Sequence, residues 1–370
     1  MSDLTVTTVR NSGDTQTPLL RPLRIVIPGG EGHLGQLLAR RFSSLGHHVS
    51  TLTRNPHYST ANTPPKASSL NPRPWKTVLW DGSSRGAWEE SLGGADILIN
   101  LAGRSVDCRY NARNRAEILQ SRVLSTAVLG EAIRGMRHAP RVWLNASTAT
   151  IYRHSYDPEM EETTGEIGGT EPDAPAEWKF SIQVAQRWEE TFFSAPTPNT
   201  RKVAMRAAMV MSPAAGGIFE ILLRLVRMGI GGAWGSGRQY MSWIHEEDFL
   251  RAVQFLILRE DISGVVNLAA PVPLPNIEFM AALRTAWGMR LGLPAPEWML
   301  TFGAFFLRTE TELLLKSRRV VPGVLLKNGF EFCYPEWQAA ARDLVSRWRE
   351  CSSDRSRAEL APSVEEASNE

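Results

Sequence analysis

Residues 24–42 read RIVIPGGEGHLGQLLARRF, and the parsing of this stretch decides the fold. RIVIP is a short β-branched run of the kind that a sheet buries. Gly29, Gly32 and Gly35 follow in the spacing GxxGxxG, and an amphipathic helical pattern begins at once. In a strand-to-helix turn the three glycines serve distinct mechanical ends, namely a tight bend, room for a pyrophosphate to reach the backbone, and close packing of helix on strand. His33 and Leu34 complete the loop, where the free N–H groups and positive dipole end of the helix face an anion. Glycine spacing alone is weak. The strand before it, the helix after it and a second strand ending near Thr53 make a dinucleotide site the expectation.

Working outward, HVSTLT (48–53), ADILINLAG (95–103) and RVWLNAST (141–148) are strand-like, and RAEILQSRVLSTAVLGEAIRG (115–135) is helical. Strands alternating with helices predict an α/β fold, a Rossmann doubly wound parallel sheet. The apolar run Ile97 to Leu101 suits a sheet covered on both faces. From about Gly216 the texture becomes helical, as in NIEFMAALRTAWG (276–288) and AARDLVSRWRE (340–350). The expected organisation is a polar disordered tail over 1–22, an NAD(P)-binding domain over 23–215, a smaller, mostly helical lobe over 216–350 and an acidic disordered tail over 351–370. Residues 55–75, rich in Pro, Ser and Asn, are expected to form a surface loop.

Composition narrows the function classes. A 370-residue chain that is 43% hydrophobic and 22% charged has the balance of a globular protein of about two domains. Its 41 basic and 39 acidic residues leave a net charge of +2 and no basic stripe, which argues against nucleic acid and a membrane surface as partners. WMLTFGAFFL (298–307) is the longest candidate span and is too short to cross a bilayer. Cys108, Cys333 and Cys351 lie far apart without CxxC spacing, so neither zinc nor a disulfide framework is expected; they suit reduced thiols in a cytoplasmic protein.

The end of the second strand discriminates between nicotinamide cofactors. An acidic residue there would bond the ribose 2′-OH, but the chain has Thr53 and Arg54. A guanidinium forks onto a 2′-phosphate in a charge-assisted contact of roughly 1.5–3 kcal/mol. NADP(H) is therefore favoured over NAD(H), unless Arg54 is only a solvated surface charge.

GGEGHLG, LTRNP, WDG, ADILINLAGRSV, ILQSRVLSTAVL, GSGRQYMSWIHEEDFLRAV and LLKSRRVVPGVLLKNGFEF together resemble an extended short-chain dehydrogenase/reductase. More narrowly, they resemble the NAD(P)-dependent epimerase family with a C-terminal domain of unknown function, here about 297–345. The resemblance spans roughly 23–345. It implies NADP(H) binding, with the 2′-phosphate at Thr53 and Arg54, the adenosine side at Leu101, Ala102 and Gly103, and further contacts from Glu117, Arg122 and the backbone around Val210. It also implies a small-molecule substrate and, by analogy, a homodimer. Arg122 alone reads equally well as an ion pair on a helix surface.

One element of such enzymes is missing. Extended reductases set a Tyr and a Lys four residues apart on one helix, after a Ser or Thr at a strand end, and the phenol exchanges the proton that accompanies hydride transfer. LNASTATIY supplies Ser147 and Thr148. The residues four positions after Tyr58, Tyr110, Tyr152, Tyr156, Tyr240 and Tyr334 are Asn62, Asn114, Tyr156, Met160, Ile244 and Gln338. In KFSIQVAQRWEE (179–190), Phe180 and Val184 fall in the expected slots. Tyr152 is a candidate replacement, or a packing residue. The five-glycine stretch GIGGAWGSGRQYMSW (229–243) reads as a substrate lid carrying Trp234 and Arg238, followed by His245, a titrating group or a hydrogen-bonded structural histidine. Two functions follow: an NADP(H)-dependent epimerase or oxidoreductase of a small carbonyl or sugar-type substrate, and a non-catalytic NADP(H) sensor or scaffold.

Overall fold

The computed structural model describes residues 21–55, 73–171, 175–294 and 316–360. Seven strands form its main sheet: β1 (Arg24–Pro28), β2 (His48–Thr53), β3 (Lys76–Leu79), β4 (Ile97–Asn100), β5 (Val142–Thr148), β6 (Arg201–Ala207) and β7 (Gly264–Leu268). They lie in the order β3, β2, β1, β4, β5, β6, β7, and every pairing is parallel. The order reverses at β1, whose neighbours are β2 and β4. In an open α/β sheet the crevice beyond the carboxyl ends of the strands at that reversal is where ligands bind.

Alternation along each strand builds two cores. Ile25, Ile27, Ile97, Ile99 and Leu144 face α1 (His33–Ser44) and α5 (Glu246–Leu258), joining Leu38, Phe42, Phe249 and Val253. Val26, Leu98 and Trp143 face the other way, toward Leu129 of α2 (Ala112–Arg134) and Phe192 of α3 (Ala176–Ser194). The period of two sends consecutive side chains to opposite faces, so strands buried on both sides are apolar throughout. Helix α1 buries Gly35, Leu38, Ala39 and Phe42, a single stripe at helical spacing. Asn111 caps α2 by accepting from the Asn114 amide at 2.8 Å.

A third core belongs to the helical lobe. Helix α4 (Ile218–Arg227) contributes Phe219, Leu222, Leu223 and Val226; α6 (Asn276–Trp287) contributes Phe279 and Leu283. Trp337 of α8 (Trp337–Leu360) stacks on Phe279 with ring centroids 3.9 Å apart and donates its indole N–H to the Phe279 carbonyl at 2.8 Å. A short helix, α7 (Gly323–Lys327), sends Leu325 back to the sheet core.

Two boundaries differ from expectation. The sheet does not end at residue 215: β7 is its edge strand and α5 packs on its face, so the chain returns to the Rossmann unit after α4. GVVNL is five residues long and its partner β6 is remote in sequence, which is why it escaped local pattern. The last helix also passes residue 350 and continues to Leu360. The apolar run at 298–307, expected to be too short for a membrane span, and the bodies of the first tail and of the 55–75 loop lie outside the described residues. Among the described residues, no helix is long and apolar enough to cross a membrane.

Candidate cofactor and substrate site

The glycine turn joins three strand ends. Gly29 N donates to Leu52 O at 3.0 Å, and Leu101 N donates to Pro28 O at 2.9 Å. Gly29 has φ +77°, and a Cβ there would stand 2.7 Å from the carbonyl carbon of Leu101. A Cβ on Gly35 would stand 2.5 Å from Gly30 Cα, so the helix approaches as closely as backbone allows. Gly32 is exposed and is the N-cap of α1, which no side chain caps. The first-turn amides of α1, from His33 and Leu34 onward, thus retain their pull on an anion. His33 Nε2 is buried beside Gly217 and has no hydrogen-bond partner among the described residues.

A cavity of about 710 Å³ opens over this turn, with Gly29, Gly32, Thr53, Arg54, Leu101 and Gly103 among its lining. Arg54 is exposed at the end of β2, while the Thr53 hydroxyl accepts from the Asn55 amide at 3.1 Å. Glu31 also lines the cavity, but its carboxylate is engaged by Arg73 and by the Thr51 hydroxyl. Ala102 is held by its amide, which donates to Asn100 Oδ1 at 3.1 Å; the Asn100 amide in turn donates to Asn145 and Thr126. Glu117 lines the same cavity and pairs with Arg104 and Arg113.

A second cavity, of about 300 Å³, lies beyond Arg122, between the ends of β5 and β6 and helix α3. Gly103 belongs to the larger cavity and Arg122 to the smaller, and a Cβ on Gly103 would stand 3.2 Å from the guanidinium carbon. The two spaces therefore meet at this pair. Arg122 is no surface ion pair: its Nη1 donates to the carbonyls of Arg104 and Ile118, each at 3.0 Å, and its guanidinium lies over the Trp188 ring at 5.1 Å. Burial pushes its pKa down to about 10. Val210 is a core residue, and its neighbours Ala208 and Met209 line the smaller cavity in its place.

Phe180 and Val184 line this cavity from one face of α3, a turn apart. Ser147 and Thr148 line it from the end of β5. The Ser147 hydroxyl is committed, donating to Glu189 at 2.5 Å, and Arg206 clamps the same carboxylate with two bonds of 2.8 and 2.7 Å. Burial alone would depress Arg206, but the bonds and charge of Glu189 outweigh it and hold it above its ordinary value. The Thr148 hydroxyl lies 3.0 Å from that of Thr150.

Tyr152 is not in the cavity wall. It is fully buried, accepts from Arg206 Nη1 at 2.9 Å and donates to Asn267 Oδ1 at 2.9 Å. Burial pushes its phenol up, against the pull of Arg206. The tyrosine that does line the cavity is Tyr110, from the loop before α2, where it meets Phe180 edge-on. Sequence spacing passed over it because its cationic neighbour is twelve residues on: Tyr110 interacts electrostatically with Arg122. Arg318, from the KSRR segment, lines the cavity as well and was likewise missed.

The lid expectation is overturned. Trp234 is buried in the lobe core, its amide donates to Asn276 Oδ1 at 2.8 Å, and its carbonyl accepts from Gly237 and Gln239. Glycines 235 and 237, at φ +52° and +69°, shape a bonded turn rather than a hinge. Arg238 lies over Tyr156, away from both cavities. His245 is buried as the N-cap of α5: Nδ1 accepts from the Glu247 amide at 3.0 Å and Nε2 pairs with Asp343 at 3.0 Å. Among the described residues, no group of three or more His, Cys, Asp or Glu side chains is arranged to hold a metal ion.

Residues 25–269 match the NAD dependent epimerase/dehydratase family. The chain belongs to this family. Residues 295–344 match a domain of unknown function, DUF1731. The human epimerase family protein SDR39U1 is 27% identical over 332 residues, covering 88% of this chain and 100% of that one. An epimerase family protein of Staphylococcus epidermidis, SERP0438, is 30% identical over 322 residues, covering 87% and 99%. The crystal structure of human SDR39U1 (isoform2) with NADPH is similar at a TM-score of 0.73 and 27% identity, over 88% of this chain and 99% of that one. As a member of the epimerase/dehydratase family the chain is an NAD(P)-dependent enzyme of the extended short-chain dehydrogenase/reductase type. The uncapped helix end and the glycine cradle that a Cβ would fill fit a dinucleotide.

Proposed function

We propose that this chain is an NADP(H)-dependent oxidoreductase or epimerase whose small carbonyl or sugar-type substrate occupies the cavity of about 300 Å³. The observation that carries it is the meeting of the two cavities at Gly103 and Arg122, which gives a dinucleotide and a small molecule adjoining spaces. Gly29, Gly32, Gly35 and the end of α1 hold the pyrophosphate, and Leu101 to Gly103 border the adenosine side. Arg54 receives the 2′-phosphate, and Arg73 neutralises Glu31, the carboxylate that would oppose it. The human relative's structure with NADPH supports this choice of cofactor.

Bound nicotinamide supplies or withdraws a hydride. The protein must supply or withdraw the accompanying proton, and the usual Tyr and Lys slots hold Phe180 and Val184. Tyr110 takes the role across the cavity: its phenol is the exchangeable group, and the cation it interacts with electrostatically is Arg122, where the usual arrangement has a lysine. Thr148 hydrogen-bonds the substrate oxygen from the end of β5. Ser147 acts behind it, keeping the Glu189 and Arg206 pair in place.

The test is binding and oxidation of NADPH and NADH in parallel, against a panel of aldehydes, ketones and nucleotide sugars. NADPH should bind at least about tenfold tighter, the low end of what a charge-assisted contact is worth, and at least one carbonyl should be reduced. Failure to bind NADPH at millimolar concentration refutes the assignment. Tight NADPH binding with no turnover across the panel would instead identify a sensor or scaffold.

A further inference from the structure

We propose that Arg115 is a positioning residue: it fixes the Tyr110 ring against Phe180 and so sets where the phenol stands in the smaller cavity. Its consequence for turnover rests on the reading of Tyr110 as the proton-exchanging group. Three residues from three segments close a triangle. Arg115 Nε donates to the Tyr110 carbonyl at 2.9 Å, the Arg115 guanidinium lies over the Phe180 ring at 4.9 Å, and that ring meets Tyr110 edge-on with centroids 5.1 Å apart. Arg115 belongs to α2, Tyr110 to the loop before it and Phe180 to α3. Tyr110 and Phe180 both line the cavity.

The loop that carries Tyr110 is held from α2 at several of its carbonyls. Arg122 donates to Arg104 O at 3.0 Å, Asn114 to Arg109 O at 2.6 Å and Arg115 to Tyr110 O. Two of these side chains also reach α3, Arg122 over Trp188 and Arg115 over Phe180. The loop is thus pinned between the two helices at both ends, and Arg115 serves the end that bears the phenol. A bond to the Tyr110 carbonyl fixes its backbone and leaves the ring free to choose a rotamer; the edge-on contact with Phe180 makes that choice. The guanidinium over Phe180 in turn holds the ring on which Tyr110 rests. Arg115 stands in the first turn of α2, where a positive charge opposes the helix dipole, so its stabilising contacts lie with Tyr110 and Phe180 rather than with the helix.

The experiment places a ring-fluorinated tyrosine at position 110 of the full-length, NADPH-loaded protein and reads its fluorine NMR line. The ring current of Phe180 should displace a single line from its position in urea. Arg115→Met keeps the stem but removes the donor and the charge, and should bring the line at least halfway back to that position. Arg115→Lys keeps a cation and one donor and should move it less than half as far as Arg115→Met does. If Arg115→Met does not fold, Arg115→Gln takes its place under the same criteria. In single-turnover assays with the carbonyl found in the panel, Arg115→Met should slow the reaction about ten- to a hundredfold, with NADPH affinity within about twofold of the parent. In the Tyr110→Phe background the same change should cost less than about twofold, because Arg115 acts through the phenol. A line unmoved by Arg115→Met, or a loss of rate as large in the Tyr110→Phe background as in the parent, overturns the proposal. If the line moves while Tyr110→Phe leaves the rate unaltered, or while the protein reduces no carbonyl of the panel, Arg115 still places the ring, and it is the proton-exchange role of Tyr110 that falls.

Discussion

The ring of Tyr110 meets that of Phe180 edge-on, with centroids 5.1 Å apart and planes at 71°. The residue in the usual acid position thereby supports a phenol delivered by a different element. Tyr110→Phe keeps this ring contact and removes only the hydroxyl. It should lower kcat by about 10²–10⁴-fold with NADPH affinity unchanged, in single-turnover assays with the carbonyl found in the panel. An unaltered rate would rule Tyr110 out.

Tyr152→Phe should act on stability. Removing its hydroxyl strands Asn267 Oδ1 and Arg206 Nη1 in a fully buried site, a loss on the order of 2–4 kcal/mol for two unsatisfied groups. Urea denaturation should report that loss, and the folded variant should bind NADPH as the parent does.

Arg54→Ala should separate the two cofactors. Loss of a charge-assisted contact of roughly 1.5–3 kcal/mol weakens NADPH binding by about ten- to a hundredfold. NADH, which lacks the 2′-phosphate, should bind the variant and the parent alike. Equal weakening of both would place the 2′-phosphate elsewhere.

The pH dependence follows from His245. Burial lowers its pKa, outweighing the opposite pull of Asp343 and Glu246. The unfolded chain therefore takes up this proton first, and native stability is lost as pH falls from about 6.5 through the lowered native value, at up to about 1.4 kcal/mol per unit. Asn at this position keeps an N-cap acceptor for the Glu247 amide but does not titrate. Compared between about pH 7.5 and about pH 5.5, the His245→Asn variant should lose less stability on acidification than the parent, measured by urea melts. Parallel curves would refute the assignment.

The parts of this molecule legible in its sequence are those written locally. The turn at Gly29, Gly32 and Gly35, the apolar strands and Arg54 at a strand end all reveal themselves within a few residues. Tyr110 and Arg318 do not, because the sheet brings them to the cavity from segments roughly two hundred residues apart. The glycines of 229–237 misled for a physical reason: positive φ permits tight bonded turns as readily as motion, and Asn276 decides which. Tyr152 misled because sequence nearness to β5 says nothing about which way a ring points. Strand β7 and the second visit to the sheet were hidden because parallel pairing with β6 is non-local.

The outer strand of that sheet carries a last consequence. Asn267 in β7 donates its outward amide to Glu162 at 2.7 Å, and its side chain reaches the carbonyls of Met160 and Val321. A carboxylate and two crossing segments thus blunt the margin where another polypeptide would add a ladder. Intermolecular strand addition is barred at this end, so a second copy docking there would have to meet side chains rather than open backbone.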